Sequence, residues 1–194
     1  MDLRVFQIRL AKLKEKLRDN NIETAIITDE DNVYYLCGYY DYLHMDFGRP
    51  TLLIISVDQE VLLIRPAIDL NTAQENACVD RISAWNDGMG EEWREELPQI
   101  LQKSGRIAIE PDQMPAIVKR YIDQEVASNQ VANITPILST MRMVKSDEEL
   151  KIARDAGKVA NAMMLAGREA IGDGVAEYEV AIATSNAGTK KAAE

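Results

Sequence analysis

The segment TLLIISVDQEVLLIRP (residues 51–66) consists of two apolar runs separated by the polar residues Asp-Gln-Glu. Leucine, isoleucine and valine predominate in residues 52–57 and 61–65, and these residue types favour a half-buried or buried pleated strand. Two such runs around a short polar connection are typical of a β-hairpin. The segment therefore predicts two adjacent antiparallel strands.

Upstream of this hairpin, the sequence predicts a helix, a strand and a second helix. Residues 3–19 place apolar side chains at helical spacing, opposite a face of Lys, Arg and Glu. TAIITD (residues 24–29) is a short apolar run of the buried-strand type. In the following DEDNVYYLCGY, Asp29 to Asp31 are candidate caps for a short helix that ends near Gly38.

Downstream of the hairpin, helical and strand patterns continue to alternate. The predicted helices are residues 67–77, 90–105 and 113–126, and the predicted strands are residues 79–85, 106–110 and 130–136. Pro98 is a potential kink in the second helix, Pro115 is expected in the first turn of the third, and Pro136 closes a last edge strand. This alternation predicts that residues 1–136 form a three-layer α/β unit around a mixed sheet.

Residues 137–194 show a different pattern, with two helices and no strand. SDEELKIARDAGKVANAMMLAGREAI (residues 146–171) begins with Ser146 as N-cap and Glu149 three residues later, which is a capping box. The GDG sequence at residues 172–174 ends this helix, and a second helix follows. Two helices cannot close a core by themselves, so they must pack on residues 1–136, on a second copy, or on another segment.

The composition limits the class of protein and its partners. A net charge of −10 argues against a nucleic-acid partner, because phosphate binding needs clustered Lys and Arg. No apolar run approaches the roughly 20 residues of a membrane span, and the N-terminus lacks a secretory pattern, so no membrane partner and a cytoplasmic location are expected. Cys37 and Cys78 are expected to be two buried thiols in a reducing compartment.

One loop gathers the most chemically versatile side chains. YLHMDFGRP (residues 42–50) contains His44, the only histidine of the 194 residues. A single histidine without a Cys-x-x-Cys pair argues against a zinc site with nitrogen or sulfur ligands. His44 has no nucleophile partner at a motif spacing, and no glycine-rich phosphate loop is present. No catalytic and no metal-binding residue is therefore predicted within this chain.

Three sequence motifs together resemble those of a known family. MRMVKSDEELKIARDAGKVA (residues 141–160), IGDGVAEYEVA (residues 171–181) and DNVYYLCGY (residues 31–39) are similar to the creatinase/prolidase/aminopeptidase P group, the pita-bread hydrolases. The resemblance spans essentially the whole chain. One departure is Ala176, which stands where that family usually has a threonine cap, and it is expected to weaken the start of the last helix.

The resemblance implies a division of the chain and a missing part. Residues 1–136 would be a creatinase N-terminal-like domain with a ribonuclease H-like motif, and residues 137–194 a linker and the first helices of an incomplete pita-bread domain. In the family, the catalytic groups follow these helices. Peptidase members hold two divalent metals (Mn, Co or Zn), whereas creatinase uses a histidine base without metal. The parent protein is expected to be a homodimer acting on a small peptide or on a guanidino or amide compound.

The resemblance also assigns a role to the 42–50 loop. YYDYLHMDFGRP is most similar to the creatinase branch, in which this loop reaches the active site of the partner subunit. That similarity implies substrate-binding roles for Phe47 as a pocket wall, for Arg49 as a partner of a substrate carboxylate, and for His44. The alternative is structural: Phe47 in the core, Arg49 paired with an aspartate, and His44 a half-exposed loop residue.

Two functions follow from these patterns. The first is the N-terminal portion of a C–N bond hydrolase that is inactive alone. The second is a stand-alone, non-enzymatic module for dimerisation or regulation. The reading frame after Glu194 discriminates between them, because a hydrolase requires downstream Asp, His and Glu at catalytic-domain spacing.

Overall fold

A computed structural model describes residues 3–40, 50–86 and 92–194. The chain divides into two compact units, Met1–Met141 and Arg142–Glu194. The first unit contains a sheet covered by helices, and the second is a helical hairpin. Within the described residues, no helix is long and apolar enough to cross a membrane.

The first unit alternates helices and strands along the sequence. Its helices are α1 (Leu3–Asp19), α2 (Glu30–Cys37), α3 (Leu70–Asn76), α4 (Leu97–Lys103), α5 (Ala116–Glu125) and α6 (Thr135–Met143). Its strands are β1 (Thr24–Ile27), β2 (Leu52–Ser56), β3 (Val61–Pro66), β4 (Arg81–Trp85), β5 (Ile107–Ile109) and β6 (Val131–Asn133). Short 3-10 turns at Ala67–Asp69, Glu92–Arg94 and Ser128–Gln130 connect some of them.

The strands form one six-stranded mixed sheet in the order β4-β3-β2-β1-β5-β6. Strand β2 runs antiparallel to both of its neighbours, with Ile55 opposite Ala25 of β1 and Ile54 opposite Leu62 of β3. The remaining pairs are parallel. Five strands therefore end, and β2 begins, at one edge of the sheet, which we call the carboxyl edge. The hairpin and the mixed α/β fold expected from the sequence are confirmed.

Side chains of β2 alternate between two separate cores. Leu53 and Ile55 face a core built with α1, α2, α3 and α6, whereas Leu52 and Ile54 face a core built with α4 and α5. All five β2 residues are buried, because both faces of the sheet are covered. This explains the unbroken apolar pattern of the strand and gives the three-layer architecture.

The ends of α2 follow the capping pattern of the sequence. Asp29 is the N-cap, and its side chain accepts a hydrogen bond of 2.9 Å from the Asn32 N–H. Gly38 is the C-cap with φ of 79°, and its N–H donates to the Tyr34 carbonyl at 2.8 Å. A left-handed conformation at this position favours glycine, which has no Cβ to strain.

Prolines account for the main differences between the prediction and the structure. The predicted helix at residues 90–105 is instead a 3-10 turn at Glu92–Arg94 followed by α4, and Pro98 lies in the first turn of α4 rather than at a kink. Pro115 is the N-cap of α5. The sequence interpretation missed α6: β6 is an edge strand as predicted, but Pro136 is the second residue of a helix. Proline has no backbone N–H, and the N–H groups of a first helical turn have no acceptor within the helix. Proline can therefore begin a helix as well as end a strand.

The second unit contains α7 (Asp147–Ala170) and α8 (Glu177–Ala192). Ser146 and Glu149 form the predicted capping box, with the Glu149 N–H donating to Ser146 Oγ at 3.2 Å and the Ser146 N–H donating to Glu149 Oε2 at 2.8 Å. At α8, only half of this motif is present, because Ala176 has no side-chain acceptor and its N–H donates to Glu179 Oε2 at 2.9 Å. The assignment of this unit to an incomplete catalytic domain stays a prediction.

Candidate functional site

The predicted substrate-binding residues His44, Phe47 and Arg49 lie outside the described residues. Their roles therefore stay predictions. The two ends of the segment that carries them are described. Tyr40 is the last described residue before it, and Pro50 is the first described residue after it. The downstream end belongs to the carboxyl edge, because Pro50 precedes the start of β2 and is buried.

The upstream end of the segment is anchored by a buried aromatic residue. Tyr39 follows the C-cap of α2 and is fully buried. The guanidinium carbon of Arg65 lies 5.2 Å from the centre of the Tyr39 ring, within the range of a cation–π contact. Arg65 is itself fully buried near the end of β3. A buried cation, Arg65, thus contacts the residue that lies three positions before the 42–50 loop.

A buried carboxylate lies at the other end of α2. Glu110 directly follows β5 and is 1% exposed. Its Oε2 accepts hydrogen bonds from the N–H groups of Thr28 and Asp29 at 2.8 and 3.0 Å, and its Oε1 accepts from Asn32 Nδ2 at 2.5 Å. Burial raises the pKa of the Glu110 carboxyl, although these hydrogen bonds oppose the rise. The carboxylate connects the ends of β1 and β5 to the start of α2.

Sequence reasoning missed both buried charges. Arg65 interrupts the apolar run VLLIRP, and Glu110 ends the run RIAIE. A charged residue at the end of an otherwise apolar strand indicates a buried charge, and buried charges usually have a partner that is either structural or functional. Glu110 lies at the start of α2 and Arg65 lies near its end. A helix dipole favours this arrangement, with an anion at the N-terminus and a cation at the C-terminus. Their observed contacts give them a positioning role for α2 and the loop after it.

The cysteines also differ from the expectation. Cys37 is buried as predicted, but Cys78 is only partly buried. Burial raises the pKa of the Cys37 thiol to about 12. The sequence separates these residues widely, yet the Cys78 N–H donates a hydrogen bond of 2.7 Å to the Cys37 carbonyl. The prediction of two buried thiols was wrong for Cys78.

A polar cavity of about 360 Å³ lies at the opposite edge of the sheet. Its wall includes Thr24, Ser56 and Ser104, whose hydroxyls are joined at 3.0 and 2.8 Å. The Ser104 hydroxyl donates a hydrogen bond of 2.9 Å to the Ile100 carbonyl. Each of these three hydroxyls therefore has a hydrogen-bond partner within the protein. Among residues 3–40, 50–86 and 92–194, no group of three or more His, Cys, Asp or Glu side chains is arranged to hold a metal ion.

The comparison with known families agrees with the fold and the motifs. Residues 9–144 match the Creatinase/Prolidase N-terminal domain. The chain belongs to the creatinase/prolidase family. The resemblance predicted from the three motifs is therefore confirmed. Because the match covers the sheet, α2 and all of α6, the carboxyl edge described above is part of this family domain.

Individual relatives extend this result. The creatinase of a Bacillus species is 26% identical over 178 residues, which cover 90% of this chain and 42% of that protein. The prolidase from Pyrococcus horikoshii has a similar fold, with a TM-score of 0.77 at 20% identity over 94% of this chain and 48% of that chain. A proline dipeptidase from Streptococcus pneumoniae gives a TM-score of 0.60 at 24% identity, over 70% of this chain and 98% of that chain.

The lengths of these relatives matter for function. The chain spans about half the length of the curated relatives that it matches, between 42 and 47% for a creatinase and a putative dipeptidase of Bacillus subtilis. The activities named for those relatives belong to polypeptides about twice as long as this chain. The fold and the family are shared, and the activity of the whole protein is a separate question.

Proposed function

We propose that this chain is the N-terminal portion of a creatinase- or Xaa-Pro peptidase-type C–N bond hydrolase and lacks the catalytic residues itself. The observation that carries the proposal is the match of residues 9–144 to the Creatinase/Prolidase N-terminal domain, within relatives about twice as long. The single histidine supports it, because a hydrolytic site of this kind needs several proton-transfer or metal-ligand groups.

The reaction of the whole protein would follow one of two routes. A peptidase would use two divalent metals (Mn, Co or Zn) to activate the water that attacks the carbonyl of an Xaa-Pro bond. A creatinase-like enzyme would use a histidine to activate water for attack on a guanidino or amide compound. In both routes, the groups that act on the scissile bond come from outside this chain. A cytoplasmic location stays part of the proposal, and the free thiols of Cys37 and Cys78 support it.

The role proposed for this chain is to form a homodimer and to complete the partner subunit's substrate pocket. The 42–50 loop would supply Phe47 as a wall, Arg49 as a bidentate partner of a substrate carboxylate, and His44 as a further contact. The described ends of the loop support this role. Tyr39 contacts the buried Arg65 before the loop, and Pro50, the last residue of the loop, is buried. A loop fixed at both ends can present side chains to a second subunit without large ordering costs.

The test compares Arg49→Ala with wild type in the intact dimer of the complete polypeptide. Loss of a charged hydrogen-bonded pair is expected to weaken substrate binding by roughly 10- to 100-fold. Arg120→Ala is the matched control, because Arg120 is exposed on α5. Substrate affinity and turnover that are unchanged in Arg49→Ala would remove the proposed loop role.

Subunit mixing tests whether the loop acts in trans. One subunit carries Arg49→Ala, and the other carries an inactivating substitution in its downstream domain. If the loop serves the partner, the mixed dimer regains one complete site with an intact loop and an intact catalytic domain. If the loop serves its own subunit, the mixed dimer holds no complete site and stays inactive.

A stand-alone module is the second candidate function. The solved chain from Streptococcus pneumoniae supports it, since 98% of that chain aligns with 70% of this one, so a domain with this fold can crystallise as a separate polypeptide. In that case, dimerisation or regulation would be the whole function. A stop codon directly after Glu194 in the gene, together with a stable dimer of the 194-residue chain, would favour this candidate.

A further inference from the structure

Two cysteines that are distant in sequence meet beside the candidate loop. Cys37 is the last residue of α2, and Cys78 lies in the connection between α3 and β4. The Cys78 N–H donates a hydrogen bond of 2.7 Å to the Cys37 carbonyl. Both thiols are free.

The main-chain contact sets an upper limit on the separation of the two residues. The covalent bonds on either side of this hydrogen bond keep the two Cα atoms closer than about 7 Å. Cysteines beyond that separation cannot be bridged without backbone movement, so this pair meets the distance requirement for a disulfide. A second contact supports the approach, since a Cβ added to Gly38 would lie 3.2 Å from the Asn76 carbonyl oxygen. The two segments therefore run side by side over more than one residue.

The two thiols differ in access. Cys78 is partly buried, and its Sγ lies 3.9 Å from the Leu3 carbonyl oxygen, to which it donates. Cys37 is fully buried in the core with α1 and α2. A dissolved oxidant can reach Cys78 but not Cys37. Burial raises the pKa of both thiols, so both are protonated at neutral pH and react faster at alkaline pH.

We propose that Cys37 and Cys78 are a reversible dithiol–disulfide pair, with Cys78 as the residue that meets the oxidant and Cys37 as the resolving residue. The oxidant is a small disulfide such as oxidised glutathione. The Cys78 thiolate attacks one sulfur of this disulfide, its S–S bond breaks, and one glutathione leaves as thiolate. The Cys37 thiolate then attacks the Cys78 sulfur, and the second glutathione leaves. Two protein thiols lose two protons and two electrons, and one small disulfide gains them and becomes two thiols.

The bond would act on the candidate loop. A link between residues 37 and 78 closes a segment that contains residues 41–49, and it fixes the end of α2 two residues before Tyr39. Closing such a segment removes conformations mainly from the unfolded chain, and the thermal unfolding midpoint is expected to rise by roughly 5–15 °C. The proposal does not depend on whether the chain is part of a hydrolase or a stand-alone module.

The experiment oxidises the folded 194-residue chain with oxidised glutathione at mildly alkaline pH. Intact mass and peptide mapping then identify the products. The expected product is a monomer lighter by two hydrogens, with one linked peptide pair that contains Cys37 and Cys78, and dithiothreitol restores the starting mass. Cys37→Ala is expected to stop at a single glutathione adduct on Cys78, because the resolving thiol is absent.

Cys78→Ser provides a second readout that leaves the core intact. Its remaining thiol is the buried Cys37, and no adduct is expected while the protein is folded. Three wild-type results would overturn the proposal: a stable glutathione adduct on Cys78, a disulfide between two chains through Cys78, or two thiols that remain unmodified.

Discussion

The guanidinium of Arg65 lies over the ring of Tyr39, with 5.2 Å between its central carbon and the ring centre. Both residues are fully buried, one near the end of β3 and the other just after α2. This pair connects the sheet to the point where the chain enters the segment that carries His44, Phe47 and Arg49. The family resemblance implies a substrate-binding role for that segment. The contact between Arg65 and Tyr39 holds the upstream end of the segment against the sheet.

Replacing Arg65 with alanine is expected to destabilise the first unit by about 3–5 kcal/mol. The change removes the cation–π contact with the Tyr39 ring and leaves a cavity beside it. Tryptophan fluorescence during urea unfolding measures the effect, because Trp85 and Trp93, the only two tryptophans, both lie in this unit. The control Arg120→Ala, at an exposed position, should change stability by less than about 0.5 kcal/mol. Equal effects of the two substitutions would contradict the role of Arg65.

Glu110→Gln is expected to change the pH dependence of stability in a defined direction. Burial raises the pKa of the native Glu110 carboxyl above the value of 4.5 for an unperturbed one. Between these two pKa values the native state keeps a proton that the unfolded state has lost, so the free energy of unfolding falls as pH rises. The stability of wild type relative to Glu110→Gln should therefore decline as pH rises from about 4.5 toward neutrality.

Urea unfolding at a series of pH values measures this difference. Glu95→Gln is the matched control, because Glu95 is exposed in the same unit. A wild-type advantage over Glu110→Gln that grew with pH would mean that the three hydrogen bonds to the carboxylate outweigh its desolvation.

Two glycines of α7 should respond to alanine with opposite signs. A Cβ at Gly157 meets nothing within 4 Å, so Gly157→Ala should stabilise the helix by about 0.5–1 kcal/mol. A Cβ at Gly167 would lie 2.7 Å from Thr184 Oγ1 of α8, and that hydroxyl is held by donation to the Val180 carbonyl. Gly167→Ala should therefore destabilise the hairpin by about 1–3 kcal/mol. Hydrogen exchange of α7 and α8 amides distinguishes the two, and stabilisation by both would contradict the close packing.

Ala176→Thr is expected to stabilise the start of α8 by about 1 kcal/mol. Glu179 already accepts from the Ala176 N–H, and a threonine hydroxyl would complete the capping box by accepting from the Glu179 N–H. Ala176→Val is the control, because it has the same shape without the hydroxyl. Amide protection in the first turn of α8 should increase only for threonine. An equal increase for valine would assign the effect to packing.

Local chemistry explains which features were predictable from the sequence. The hairpin, the Asp29 cap and the Ser146 capping box depend on residues a few positions apart, and each was confirmed. Helix α6 was missed because Pro136 both ends strands and opens helices, and the local sequence does not separate the two.

Contacts between distant segments were beyond sequence reasoning for a different cause. Glu110 meets Asn32 only because β5 lies beside β1, and Cys78 meets Cys37 only because α3 leads the chain back to the end of α2. Strand order decides such meetings, and no local pattern encodes it. The candidate site residues His44, Phe47 and Arg49 lie outside the described residues, so their roles stay predictions.

An assay of hydrolysis by the purified 194-residue chain tests the proposal that this chain lacks the catalytic residues. The chain is incubated with an Xaa-Pro dipeptide in the presence of Mn²⁺ and, separately, with creatine. A mock purification that contains no chain serves as the control. Turnover equal to that control is expected for both substrates if, as proposed, the groups that act on the scissile bond lie outside these 194 residues. Turnover that exceeds the control and rises in proportion to chain concentration would contradict it.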